Sequence, residues 1–479
     1  MPSSRNRAAS ALFLAFLLAA SSVNSQTLTL ADVRASTQQH VPAILRAIAA
    51  NRVAAGERDA ANGAFDLVFA GDSYNRLGGF WDGRVQTFKA TKPVSDYGAS
   101  IYSQYRLSEG NFPIYEDEFF TNTGGQFKLG VLFSLLRDRD IDARRFALAD
   151  AEFSLRASEF ELMLVRIGLA QEATIAYWRW AAAGQRLAIY RRLLTNALDR
   201  NVGLEREVRE GARAAIFLTE NQQNINRRRA LVVRAERDLA LAANVLSFYW
   251  RDSDGDMRTP VAGQLPMMLQ QVLPTAEPET AAEVNARLES VLARHPELGV
   301  LRNAIDRSRV RIALRENSLM PRLDGYVEFA HGVGAIAEGG RSRDSTDTVV
   351  GLNFSVPIAR REARARLTQE RDRLSALEFQ ALEAADRIEQ ALVAFGFQRF
   401  YARELYDLAT QEVAQLQTLQ NAERQRFAAG ASDFFLVNVR EENAANSEIS
   451  LLNARLDAVI ADVNFEAATL DFEALDLEL

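Results

Sequence analysis

No cysteine occurs in the 479 residues. Disulfides, thiolate metal sites, a cysteine nucleophile and a lipid-modified N-terminal cysteine are thereby excluded. Lysine is almost as scarce: Lys89, Lys92 and Lys128 are the sole lysines, and arginine supplies the remaining basic side chains. Histidine is limited to His40, His295 and His331. No HExxH, G-x-S-x-G or phosphate-loop pattern appears, and no cluster of metal-ligating residues stands out. The sequence therefore offers no cofactor or metal site, and catalysis is not expected. No apolar run reaches the ~20 residues needed to cross a bilayer as a helix. The charge is mildly acidic, 56 basic against 63 acidic residues, with no basic stripe. Such a surface is a poor partner for nucleic acid.

What is present begins with export. Arg5 and Arg7 precede an apolar core from Ala11 to Ala20, and Val23-Asn24-Ser25 offers small residues for cleavage. Residues 1–25 read as a secretory signal, too short to serve as an anchor. Its removal takes Arg5 and Arg7 and leaves 54 basic against 63 acidic residues, a net charge of −9. An exported chain without a spanning helix belongs in the bacterial periplasm, outside the cell, or in an outer-membrane β-barrel.

One segment order occurs twice. His40-Val41-Pro42 answers His295-Pro296, Gly130-Val131-Leu132-Phe133-Ser134 answers Gly351-Leu352-Asn353-Phe354-Ser355, and Gly211-Ala212 answers Gly430-Ala431. Gly351 follows Gly130 by 221 positions, and Gly430 follows Gly211 by 219. His295 follows His40 by 255, so the first copy carries about 34 additional residues before its last strand. A period near 220 is a duplicated half, not a solenoid unit. The expected organisation is a first repeat over 26–250, a linker over 251–280 and a second repeat over 281–479. The first contains a helix, a strand pair over 64–136 and a long helical hairpin over 140–250. The second contains a helix, a strand pair over 322–358 and a helical hairpin over 359–472.

Local patterns support that order. Thr29-Leu30-Ala31-Asp32 is a capping-box pattern opening a helix that runs to about Gly63. Period-two alternation follows in Phe65, Leu67 and Phe69, more weakly in Ile101, Ser103, Tyr105 and Leu107, and again from Phe127 to Leu135. In the second repeat Leu323, Gly325, Val327 and Phe329 alternate with polar residues. The set Val350, Leu352, Phe354 follows a glycine-rich loop over 332–348. Segments of this kind match the weak signature of membrane barrels and equally that of an ordinary half-buried soluble sheet. From Ile141 to about Arg206 and from Ala359 to about Arg424 nothing breaks a helix, which allows ~100 Å of each. Leu367, Leu374, Ala381, Ile388 and Phe395 recur every seven positions, and many alanines let neighbouring helices approach. Gly211 and Gly430 end these helices, and Ser432 or Asp433 caps the returning one. The linker holds Asp252, Asp254 and Asp256, but its glycine spacing does not fit a calcium loop.

Two strand pairs give four strands per chain, whereas the smallest common barrels need about eight. Open strand edges cannot face lipid, so several chains must pool their strands. On these features the chain resembles the TolC-like outer-membrane efflux protein family. The resemblance rests on the duplication and on three short motifs. These are Pro321-Arg322-Leu323 before a strand, Gly351-Leu352-Asn353-Phe354-Ser355-Val356-Pro357-Ile358, and Phe427-Ala428-Ala429-Gly430-Ala431-Ser432-Asp433-Phe434. It implies a mainly helical fold with a β-barrel portion: a homotrimer with a twelve-stranded barrel in outer-membrane lipid and a periplasmic α-helical barrel. It also implies docking to a periplasmic adaptor (membrane fusion) protein and an inner-membrane transporter. The exit duct would serve tripartite efflux or type I secretion. The resemblance places Gly211, Arg213, Gly430, Ser432, Asp433, Asn438 and Glu441 at a periplasmic tip that narrows the pore and meets the adaptor. The positions that carry aspartates in some relatives hold Leu436 and Val439. Phe80, Trp81, Tyr97, Tyr102 and Tyr326 are candidates for the membrane-interface girdle. The alternatives are a periplasmic coiled-coil adaptor, with one helical hairpin, or a secreted coiled-coil structural protein.

Overall fold

A computed structural model describes residues 27–266, 281–336 and 345–477. The expected signal segment, the linker beyond 266, the middle of the 332–348 loop and the last two residues lie outside them. The described elements are α1 (Leu30–His40), α2 (Pro42–Asn62), β1 (Val68–Asn75), β2 (Arg84–Pro93), β3 (Ser100–Glu109), β4 (Gln126–Ser134), α3 (Ala143–Arg209) and α4 (Ile216–Ser247). There follow α5 (Ala281–Arg294), α6 (Pro296–Asn317), β5 (Arg322–Gly332), β6 (Thr346–Ser355), α7 (Arg361–Ala428) and α8 (Phe434–Thr469). The long helices α3 and α7 have 67 and 68 residues, close to the expected stretches.

The first expected helix is two. Val41 is extended and Pro42 starts α2, as His295 and Pro296 separate α5 from α6. Proline disfavours helical geometry in the residue before it, so the paired His/Pro anchors mark a shared break. His295 also caps α6, its Nδ1 accepting from the Glu297 amide at 3.3 Å. Thr29 and Asp32 form the capping box, with reciprocal bonds of 3.2 and 3.0 Å.

Two compact units divide the chain, each drawing on both repeats. The first comprises residues up to Arg46, Met163–Ala293 and Arg387–Leu479. Its core is helical and rich in alanine. Ala173, Tyr177, Trp180 and Ala181 of α3 pack with Val232, Leu239 and Leu246 of α4 and with Leu452, Val459 and Val463 of α8. Trp180 is fully buried, as the helical setting of Trp178 and Trp180 suggests.

The second unit, Ala47–Leu162 with Arg294–Asp386, contains the six described strands in one antiparallel sheet of order β1-β2-β3-β4-β5-β6. The expectation of four strands is thus corrected to six. The 64–136 region is a four-stranded meander, and Phe65 lies in a short 3-10 turn before β1. β2 escaped the periodicity because only Phe88 and Ala90 are apolar on one of its faces. Register and alternation put two kinds of side chain on the two faces of the sheet. One face carries Phe69, Phe88, Ile101, Tyr105, Phe127, Leu129, Val131, Phe329, Val350 and Phe354. The other carries Thr87, Lys89, Tyr102, Gln104, Arg106, Lys128, Asp324, Glu328 and Asn353. All three lysines stand in strands; Lys92 lies on the apolar face beside Ile101 at the end nearest the helices, where a long stem carries its charge towards water.

The repeated glycine anchors have a physical reason here. Gly130 lies opposite Tyr102 and Gly351 opposite Tyr326 in the ladders. A Cβ on Gly130 would meet the Tyr102 ring at 2.3 Å, and one on Gly351 the Tyr326 ring at 2.1 Å. Each glycine is a flat bed for a cross-strand tyrosine, which pins the register. Gly351→Val forces this ring aside. We expect a loss of about 1–3 kcal/mol of stability, as for overpacking elsewhere. The thermal midpoint of the assembled protein reads it, and Gly351→Val combined with Tyr326→Ala recovers part of the loss.

Candidate functional site: the hairpin tips

Both helical turns are built alike. Gly211 and Gly430 adopt φ of +76° and +73°, the left-handed region that glycine enters without strain. At the first turn the Ala212 amide donates to the Glu207 carbonyl at 2.9 Å and Gly211 to Val208 at 3.1 Å. At the second, Ala431 donates to Arg426 at 2.8 Å and Gly430 to Phe427 at 3.0 Å. These paired bonds are the Schellman closure, which satisfies the last carbonyls of a helix. No side chain lies near the missing Cβ at either position, so backbone conformation alone selects glycine.

The returning helices begin differently. Asp433 caps α8, its Oδ1 accepting from the Leu436 amide at 2.7 Å, and it stays exposed. Ala215 precedes α4 without any side-chain cap. Ser432 bonds the buried Glu423, which also meets Arg426 at 3.4 Å. Arg213 pairs with Glu207 of its own hairpin at 2.6 Å and stacks over Phe217 and Phe427, 5.4 and 5.6 Å from the ring centres. Phe217 in turn meets Phe434 edge to face at 6.2 Å. One cation and three rings therefore tie the two turns together.

Behind the turns lies a buried charge cluster. Glu441 is 1% exposed and meets Arg200, Arg228 at 3.4 Å and Arg424 at 3.1 Å. The four side chains come from α8, α3, α4 and α7, one from each long helix. Arg200 also donates to Asn438 at 2.5 Å, and Arg228 to the Leu193 carbonyl at 2.9 Å. Burial alone would raise the Glu441 carboxyl, but Arg200, Arg228 and Arg424 hold it below the ordinary carboxylate range. Burial pushes the Arg228 guanidinium down, with Glu441 opposing. Glu441 is thus an internal tie among four helices. The neighbouring Glu442 binds Arg227.

Sequence reading named Glu441 but missed its arginines. A signal existed: Asn221, Ile225, Arg228, Val232, Ala235 and Leu239 form one buried row on α4, with an arginine at a core position. The five girdle candidates fall at different places on the sheet. Tyr102 and Tyr326 lie on the polar face of the sheet, Tyr102 bonded to Glu328, because their rings occupy the glycine beds. Phe80 and Trp81 pack edge to face at 4.9 Å in the loop after β1, with Phe80 89% exposed. Tyr97 is exposed in the turn after β2 at φ +56°.

Among the described residues no helix is long and apolar enough to cross a membrane. Residues 288–469 match the model of the outer membrane efflux protein family. The fold agrees. CusC covers 91% of its own length and 92% of this chain at 14% identity, with a TM-score of 0.62. The Campylobacter jejuni CmeC outer membrane channel gives 90%, 94%, 12% and 0.61 in the same order. VceC of Vibrio cholerae gives 95%, 92%, 13% and 0.60. No curated protein matches the chain by sequence. The described fold is that of outer-membrane channels with long helical hairpins. The second repeat thus matches that family's sequence model, and the chain as described has the fold of solved outer-membrane channels.

Removing the Glu441 charge leaves the buried Arg228 without its carboxylate and takes an ion-pair partner from Arg200 and Arg424. For Glu441→Gln we expect a loss of about 3–5 kcal/mol, as when one partner of a buried ion pair is deleted. The pH dependence follows from the depressed carboxyl. Its contribution is complete above the unfolded value of about 4.3 and is lost as pH falls through the folded value. Thermal unfolding of the wild type between neutral and acid pH shows that loss; Glu441→Gln lacks this component.

Proposed function

We propose that three copies of this chain close one passive duct across the outer membrane. An inner-membrane transporter and a periplasmic adaptor protein deliver substrates to it, and energy comes from those partners. One observation carries the reading: a single copy is unfinished along its flanks. β1 and β6 are open edges of a sheet with an exposed apolar face. In the helical unit Val393, Phe397, Tyr401, Leu405 and Leu408 form an exposed apolar row on α7, and Val233, Leu241 and Val245 form another on α4. Exposed rows of this extent mark association surfaces. Three is the number that the resemblance to the TolC-like family implies. The adaptor alternative requires one helical hairpin, whereas two are present, α3–α4 and α7–α8.

In this reading the turns at Gly211 and Gly430, with Arg213, Ser432, Asp433 and Asn438, form the tip that constricts the duct and meets the adaptor. Glu441 holds each tip closed on itself from within. Phe80, Trp81 and Tyr97 remain interfacial aromatics at the sheet ends.

Two measurements test this. Native mass spectrometry from detergent is expected to show three copies, and Leu405→Glu with Leu408→Glu to shift the population to monomers. An unshifted trimer would remove α7 from the contact. In planar bilayers Asp433→Ala is expected to lower cation preference at the tip. Unchanged selectivity would leave capping as the sole role of Asp433.

A further inference from the structure

We propose that the additional hairpin β2–β3 is part of the barrel wall, so that three copies close eighteen strands, with β6 of one copy paired to β1 of the next. This rests on the trimeric duct proposed above and adds its size and its seam.

The pairing argues for it first. β2 is paired throughout with β3 and over eight residues with β1, Val68↔Thr91 to Asn75↔Arg84 on one side and Arg84↔Glu109 to Pro93↔Ser100 on the other. β3 continues into β4 from Ser100↔Leu132 to Arg106↔Gln126. A twelve-stranded ring would require β1 to pair with β4 directly and would break the β1–β2 and β3–β4 ladders.

The side chains agree. β2 and β3 place Phe88, Ala90, Ile101, Tyr105 and Leu107 on the same face as Leu129 and Phe329 of the neighbouring strands. They place Thr87, Lys89, Gln104 and Arg106 on the opposite face. That is the apolar-out, polar-in dyad of a membrane strand. On the polar face the inserted strands are wired to the others: Lys89 sits over the Tyr102 ring at 4.9 Å, Tyr102 bonds Glu328, and Glu328 pairs with Lys128 at 3.2 Å. This chain of contacts crosses β2, β3, β4 and β5. A hairpin lying over the mouth or outside the wall has no need of either pattern.

Length and direction also fit. β2 and β3 have 10 residues each, within the range of about 9–11 for a tilted membrane strand. Their connecting turn is seated where β4 enters α3: Ser134 donates to the Tyr97 carbonyl at 3.2 Å, and a Cβ on Gly98 would meet the Asp138 carbonyl oxygen at 2.3 Å. With six alternating strands β1 and β6 run in opposite directions, so a head-to-tail contact between copies is antiparallel, like every other pair in the sheet. The occupant of each open edge is therefore a second copy of this chain.

Strand number sets width. At about 4.8 Å between strands and about 40° of tilt, eighteen strands enclose a ring about 36 Å across between backbones, against about 24 Å for twelve. At the end away from the helices the 110–125 loop covers the polar face, with Phe112 and Phe120 buried against Val85. The added width is therefore fully open only below that loop.

Electron cryomicroscopy of the full chain in lipid nanodiscs tests this. Three copies with eighteen strands are expected. Three copies with twelve strands, β2–β3 outside the wall, would overturn this inference and leave the duct standing. A single copy with an unclosed sheet would overturn both. The chain has no cysteine, so single-site labels give a second test. A fluorophore on Phe88→Cys should be quenched by nitroxide-bearing lipid several-fold more than one on Lys89→Cys. Equal quenching at the two positions would place the hairpin outside the wall.

Discussion

A strand edge in hydrocarbon has nowhere to place its backbone N–H and C=O groups. Each unsatisfied group costs several kcal/mol there, which is why only helices and closed barrels span membranes. The sheet of this chain has six described strands and two open edges, β1 and β6. Its apolar face is broad and exposed, from Phe69 on one edge strand to Val350 and Phe354 on the other. The proposed assembly follows from that mismatch between what one chain exposes and what a bilayer tolerates. The exposed rows around Leu405 on α7 and Leu241 on α4 repeat the same incompleteness in the helical unit.

Duplication repeats two devices, once in each half: a left-handed glycine that turns a long helix, and a glycine bed that receives a tyrosine from the neighbouring strand. The turns match to within a few degrees at Gly211 and Gly430. The repeats then diverge in detail. One returning helix is capped by Asp433 and the other has no side-chain cap. One strand region is a simple hairpin and the other carries two strands more. Glu441 has three arginine partners contributed by the three other long helices, and this cluster joins the repeats behind the tip.

The long helices, both turns and the second hairpin were legible in the sequence because each rests on one dominant local rule. Proline and glycine clusters are absent where helices must run, and Gly430 stands where the backbone must turn. β2 was not legible. Its alternation is weak, because Arg84, Gln86 and Lys92 share one face of β2 with Phe88 and Ala90. The surplus of about 34 residues in the first repeat was visible, but its fold depends on ladders to β1 and β3 that no local pattern encodes. The tip cluster was half legible. Glu441 was picked out by position, whereas Arg200, Arg228 and Arg424 come from other helices and meet it only through tertiary packing. Tyr102 and Tyr326 were assigned by residue type to an interface. The register adds what residue type cannot, that both lie on the polar face of the sheet.

Closure of the proposed duct requires both open edges to be satisfied by identical copies. Solid-state NMR on a lipid-embedded mixture of carbon-13-labelled and nitrogen-15-labelled chains addresses this directly, because nitrogen–carbon transfer then reports contacts between copies. Intermolecular backbone transfer between residues 68–75 and residues 346–355 is the predicted result. Absence of transfer at those residues, or its appearance in β3 and β4 instead, would contradict it.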